Sequence, residues 1–122
     1  MASNFYFKAG SILGLTAVGL GAFGTHGLAK YVGDDATKLK NWSMAAHYQL
    51  LHAVALVSIS SIPPAVRRIH PAVAPLMLGG TIAFSGSIYI LTLKKREQLR
   101  FLGPVTPLGG LAMMAGWAAL LL

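Results

Sequence analysis

The sequence predicts an all-α fold, a four-helix transmembrane bundle running up-down-up-down, and three observations predict it. Four apolar segments, residues 9–28, 44–62, 74–93 and 104–122, each come near the ~20 residues needed to cross a hydrocarbon core of about 30 Å. None of the four contains Asp, Glu, Lys or Arg. At 55% apolar and 11% charged residues, with a mean hydropathy of +0.64, the chain lies well away from the ~45–50% apolar and ~25% charged of soluble domains. A soluble globule of this length has too little interior to bury four helices that lack a polar face. One membrane domain over 1–122 is therefore expected.

The first segment follows a short tail bearing Lys8. It is longer than the ~7–15 apolar residues of a signal peptide and no A-x-A pattern follows it, so it is expected to remain as a span. Ahead of the second segment, Asp34 and Asp35 precede Ala36, and either carboxylate can cap a helix by accepting its unpaired amides. Trp42 stands where an interfacial aromatic anchor is expected. Pro63, Pro64, Pro71 and Pro75 surround Arg67, Arg68 and His70; because proline lacks a donor and disfavours helix in the residue before it, this stretch separates segments two and three. The third connection is the basic run 94–100. Pro104 and Pro107 fit the first turns of the fourth helix, where early amides have no helical partner.

The basic residues indicate an orientation. The first and third connections hold Lys30, Lys38, Lys40, Lys94, Lys95, Arg96 and Arg100, against Lys8, Arg67 and Arg68 on the other side. Positive charge favours the cytoplasmic or matrix side, so both termini are expected to face away from it. The net charge of +7 is read as a membrane-side bias and not as a nucleic-acid footprint. Lys94, Lys95, Arg96 and Arg100 are the candidate contacts to anionic lipid. With no cysteine in the chain, disulfides, thiolate metal sites and cysteine nucleophiles are excluded.

Glycine is dense in segments one, three and four. Gly10, Gly14, Gly21, Gly24, Gly86, Gly109, Gly110 and Gly116 are the candidate helix-packing positions, since small residues let helix backbones approach where lipid removes the hydrophobic drive. Gly10 and Gly14, Ala17 and Gly21, and Ala112 and Gly116 form small-xxx-small pairs. Packing within the chain is the preferred reading over a homo-oligomer face, because three segments share the feature. Thr81, Ser85, Tyr89 and Thr92, at offsets of four, four and three, share one side of a helix. That stripe suits hydrogen bonds between helices, with a polar path as the sharper alternative.

His26, His47 and His52 fall toward one membrane side. From Trp42, a rise of ~1.5 Å per residue places His52 about 15 Å along its helix, near mid-membrane. Tyr48 and Gln49 share its face, while His47 lies about 140° away. The candidate intramembrane polar cluster is His26, His47, Tyr48, Gln49, His52, Ser85 and Tyr89. It suits a clasp between helices, a proton relay or half of a metal site, and the clasp is preferred. No thiolate or in-span carboxylate strengthens a metal site, so no metal and no cofactor is expected. No acid in the spans can orient a base, so no catalytic residue is assigned and an enzyme is not expected.

Four motifs carry a resemblance: GAFGTHGL at 21–28, HYQLLHAVAL at 47–56, FSGSIYILTL at 84–93 and GPVTPLGGLAMMAGW at 103–117. In their order and spacing the chain resembles the transmembrane protein 256 family, small four-span proteins of bacteria and eukaryotes. His26 matches the first motif, Gln49 and His52 the second, Ser85, Gly86 and Tyr89 the third, and Pro104, Pro107, Gly109 and Gly110 the fourth. Thr25 replaces the small residue expected before His26. The resemblance implies a bacterial inner (plasma) membrane or a mitochondrial inner membrane, and no assigned reaction.

Two functions follow as expectations. The first is a non-enzymatic component or accessory subunit of a membrane assembly, whose partners are the bilayer, anionic lipid, and a second copy or a larger complex, without nucleic acid. The alternative is a small proton-linked transporter or channel using the His/Gln/Tyr cluster.

Overall fold

The computed structural model describes residues 2–94 and 100–122, and every regular element among them is helical. Helix α1 (Ala2–His26) is followed by the single turn α2 (Ala29–Val32), then α3 (Ala36–Ser60), α4 (Val73–Leu93), a 3-10 turn (Arg100–Leu102) and α5 (Val105–Ala119). The four long helices fall on the four apolar segments. Helix α3 starts at Ala36, well ahead of residue 44, because the Asp35 carboxylate accepts from the amides of Thr37 and Lys38 at 3.1 and 3.2 Å and so caps a helix there. Gly33 ends α2 at φ +72°, a conformation in which a side chain is strained. Beyond Ser60 the chain turns at Pro63, whose carbonyl accepts from Val66 and Arg67.

Among the described residues, two helices are long and apolar enough to cross a membrane: α1 over Asn4–His26, and α4. Helix α5 is apolar but has only 15 residues, or about 22 Å at 1.5 Å per residue. Helix α3 is long enough, but Lys38, Lys40, His47, Gln49 and His52 dilute its apolar character.

The helices do not close into a ring. Helix α1 packs on α3, α3 on α4 and α4 on α5, while among the described residues α5 has no extended interface with α1 and α1 meets α4 only slightly. The expected bundle is thus an open, antiparallel row. Its two outer interfaces explain why.

In the first, Gly10, Gly14, Ala17, Gly21 and Gly24 repeat at offsets of four and three along α1. They lie against Trp42, Ala46, Gln49, Ala53 and Leu56 of α3, which repeat in the same way and are all buried. A repeat averaging 3.5 residues is the seam of left-handed helix pairing. In the second, Val73, Met77, Gly80 and Phe84 of α4 meet Gly109, Met113 and Gly116 of α5 at the same offsets. A Cβ on Gly109 would sit 2.8 Å from the Gly80 carbonyl oxygen, and one on Gly116 only 2.8 Å from Met77 Cγ. Each outer helix therefore sinks deeply onto one neighbour. Such close seating leaves no reason to bend round to a second.

A Cβ on Gly110 would meet the Phe84 ring at 3.6 Å and, among the described residues, nothing else within 4 Å. Gly86 departs from the packing expectation: a Cβ there meets nothing within 4 Å among the described residues, because it lies off the 73–77–80–84 seam. Gly80, absent from the expected packing set, is among the tightest positions. The pair Gly109 and Gly116, seven apart, supplies the α5 seam in place of Ala112 and Gly116. The apolar core proper is small, with Leu56, Val73 and Met77 fully buried where α3 meets the start of α4.

Candidate functional site

Gln49 sits at the middle of α3, 4% exposed, and ties three helices together. Its Nε2 donates to the Leu13 carbonyl at 2.9 Å and to Thr16 Oγ1 at 2.7 Å, both on α1. Its Oε1 accepts from the Tyr89 hydroxyl of α4 at 2.7 Å. Thr16 can accept because its own proton goes to the Ile12 carbonyl. Both amide hydrogens and the amide oxygen are thus engaged.

His52, one turn further along α3, also 4% exposed, serves a different neighbour. The Trp117 indole of α5 donates to His52 Nε2 at 3.0 Å, and His52 Nδ1 lies 2.7 Å from the Tyr48 carbonyl. An indole N–H only donates, so Nε2 must be the bare nitrogen and Nδ1 must carry the proton and donate. The ring is the neutral imidazole with both nitrogens occupied. A second proton on Nε2 would face the indole hydrogen.

The expected cluster therefore divides. Gln49 and Tyr89 belong to one network and His52 to another. Tyr48 contributes its backbone carbonyl, and its ring packs edge-on against Phe84 at 5.5 Å. Ser85 donates to the Ala45 carbonyl of α3 at 2.8 Å. His47 is exposed, and exposed His26 has its Nδ1 3.0 Å from the Ala22 carbonyl within its own helix. The three histidines do not converge: among the described residues no group of three or more His, Asp or Glu side chains is placed to hold a metal ion. The polar stripe of α4 is likewise shared out, with Thr92 bonding back to Ile88 and buried Thr81 left without a partner among the described residues.

Trp42 is not an interfacial anchor. It is 1% exposed and wedged over Gly24, with Nε1 donating to the Leu20 carbonyl at 2.7 Å and its ring 4.7 Å from that of Tyr89. The glycine at 24 makes room for the indole. Of the basic run, Lys94 lines a cavity of about 520 Å³ that also holds Lys38 and Asp35. Lys95 and Arg96 lie outside the described residues, and of Arg100 only the backbone, opening the 3-10 turn, is described.

Sequence reasoning missed Thr16, Trp117 and the Ser87–Thr106 hydroxyl pair that joins α4 to α5. Thr16 had a usable signal, since it lies on the small-residue helix one position from seam residue Ala17. Trp117 had none, being 65 residues from His52.

Compared with known proteins, residues 20–110 match the family model described as "Protein of unknown function (DUF423)". The chain is 41% identical to a UPF0382 membrane protein of Schizosaccharomyces pombe, over 94% of this chain and 97% of that protein. It is 38% identical to the UPF0382 membrane protein YwdK of Bacillus subtilis, over 88% and 85%, and 35% identical to the UPF0382 inner membrane protein YgdD of Escherichia coli, over 99% and 89%. No solved structure matches.

Proposed function

The chain belongs to the DUF423 family, the one its transmembrane protein 256 resemblance indicated, and from that premise we propose a non-enzymatic integral membrane component that crosses the bilayer four times and joins a larger assembly. The observation that carries this reading is how the polar side chains are placed. Gln49, His52 and Ser85 are buried and bonded to other helices, while Leu15, Val18, Val54, Ile82, Leu111 and Met114 face outward. Apolar outside and bonded polar inside is the arrangement that hydrocarbon demands. The open row supports an assembly, since α1 and α5 each keep an apolar flank that the described residues do not cover. The printed names of the relatives support a membrane address, inner in the bacterial case, and the bias of Lys and Arg toward the first and third connections supports both termini lying away from the cytoplasm or matrix.

The absence of cysteine makes the test direct. Single cysteines at Val18 and Met114 are expected to crosslink to a partner or a second copy in native membranes, and affinity purification in mild detergent to recover it. Failure of both, with the protein migrating alone, overturns the assembly. Conduction has less support, because a relay through His52 needs a free ring nitrogen. Proton flux into liposomes that His52→Ala abolishes would favour it instead.

A further inference from the structure

Two adjoining cavities at the end of the row where α3 stops have opposite character. One is a groove of about 530 Å³ between α3 and α5, lined almost wholly by apolar groups, among them Leu51, Ala55, Ile59 and Leu120, with Tyr48 and the His52–Trp117 pair toward its far end. The other, of about 500 Å³, lies in the connection that follows and is lined by Arg67, Arg68 and His70 with Ile62, Pro64 and Leu122. Ile59 belongs to both. An apolar slot thus opens at one end into a cationic cup.

We infer that this pair of cavities is a binding site for one anionic glycerophospholipid, an acyl chain lying in the α3/α5 groove and the phosphate held by Arg67, Arg68 and His70. The lengths agree. From Ile59 to Tyr48 the groove follows α3 for about 16 Å at 1.5 Å per residue, which is half of a hydrocarbon core of about 30 Å and so the depth of a single leaflet.

The charge agrees as well. The sequence has three acidic residues, Asp34, Asp35 and Glu97. Asp35 caps the opposite end of α3, about 37 Å away along its 25 residues, Asp34 precedes it, and Glu97 lies outside the described residues. The cavity at that other end has Asp35 among its lining groups, whereas among the described residues no Asp or Glu side chain lines the cup. The Ala72 amide donates to His70 Nδ1 at 3.1 Å, so the ring proton of neutral His70 sits on Nε2 and can donate to a phosphate oxygen. Guanidinium groups match phosphate oxygens in pairs.

This inference rests on the membrane-embedded reading, and one experiment separates the two. Trp117 lines the groove and Trp42 does not, so contact quenching of tryptophan by mid-chain brominated lipid reports occupancy. The purified chain is reconstituted in phosphatidylcholine vesicles doped with equal low fractions of brominated phosphatidylcholine or brominated phosphatidylglycerol. Quenching by both, with phosphatidylglycerol preferred on the order of twentyfold, is expected, since a basic side chain at the membrane surface contributes about fivefold. That preference should fall to the phosphatidylcholine level in R67Q/R68Q, whose exposed positions leave the packing intact, and should vanish with Trp117→Phe. Equal quenching by the two lipids in the unmodified protein, or an unchanged preference in R67Q/R68Q, overturns the site. Loss of the preference to inorganic phosphate, but not to chloride of equal ionic strength, would make the cup a free-phosphate site and also overturn it. No quenching by either lipid would overturn the membrane-embedded reading itself.

Discussion

The α1/α3 and α4/α5 interfaces share one spacing and hold their helices by different means. Along α4 and α5 glycines stand on both helices, and the backbones themselves meet at Gly80 and Gly109. Along α1 and α3 the glycines all stand on α1, while α3 brings Trp42, Gln49 and Leu56 between Ala46 and Ala53, and two of the large residues bond to α1 carbonyls. Where glycine meets glycine, the backbones gain dispersion contacts and leave no room for a side chain between them. A seam of glycine against bulk is keyed, because each polar tip finds one carbonyl and so fixes the register. Identical periodicity can therefore specify closeness in one place and register in another.

The sharpest way to break the contrast is Gly109→Val, whose Cβ would fall on the Phe84 amide of the facing helix. We expect a loss at or above about 3 kcal/mol, measured by denaturant titration in mixed micelles, whereas Gly14→Ala, with Ala53 Cβ at a comfortable 3.6 Å, should cost far less. Gln49→Leu attacks the keyed seam. It leaves the Tyr89 hydroxyl without its acceptor and removes the α3 donor from the Leu13 carbonyl and Thr16 Oγ1, for an expected loss of about 1–2 kcal/mol in the same titration. Trp117→Phe removes a single bond to His52, and about 0.6 kcal/mol is expected. Gly86→Ala sharpens the comparison from the other side: in isolated protein it should change stability by less than about 0.5 kcal/mol, so a larger loss appearing only in native membranes would mark a partner seated on that face.

These pairings also set how far the sequence could be read. Charge-free apolar segments announced all four long helices, and the adjacent Asp34 and Asp35 offered two caps ahead of the second, of which Asp35 serves. Lateral order was hidden, because a 3.5-residue repeat marks a contact face without naming the helix it meets. Gln49 and His52 stood out as polar groups in apolar surroundings, yet three residues of separation turned them toward α1 and α5 separately. Shared face within a helix does not mean shared partner. Tyr89 and Ser85 illustrate the same point: four residues apart, one reaches Gln49 and the other the Ala45 carbonyl. The choice depends on side-chain length, which period counting ignores. Gly80 was obscured by Gly79 beside it, since only one of an adjacent pair can point into a seam.

Every extended interface in the row joins helices that are neighbours along the chain. Contacts of that kind close short loops and favour rapid assembly. Each hairpin can complete itself as soon as its second rod emerges during synthesis, without waiting for the carboxyl-terminal segment to return to the first. Build order and spatial order coincide, and a truncation after α4 should leave an amino-terminal hairpin that still forms.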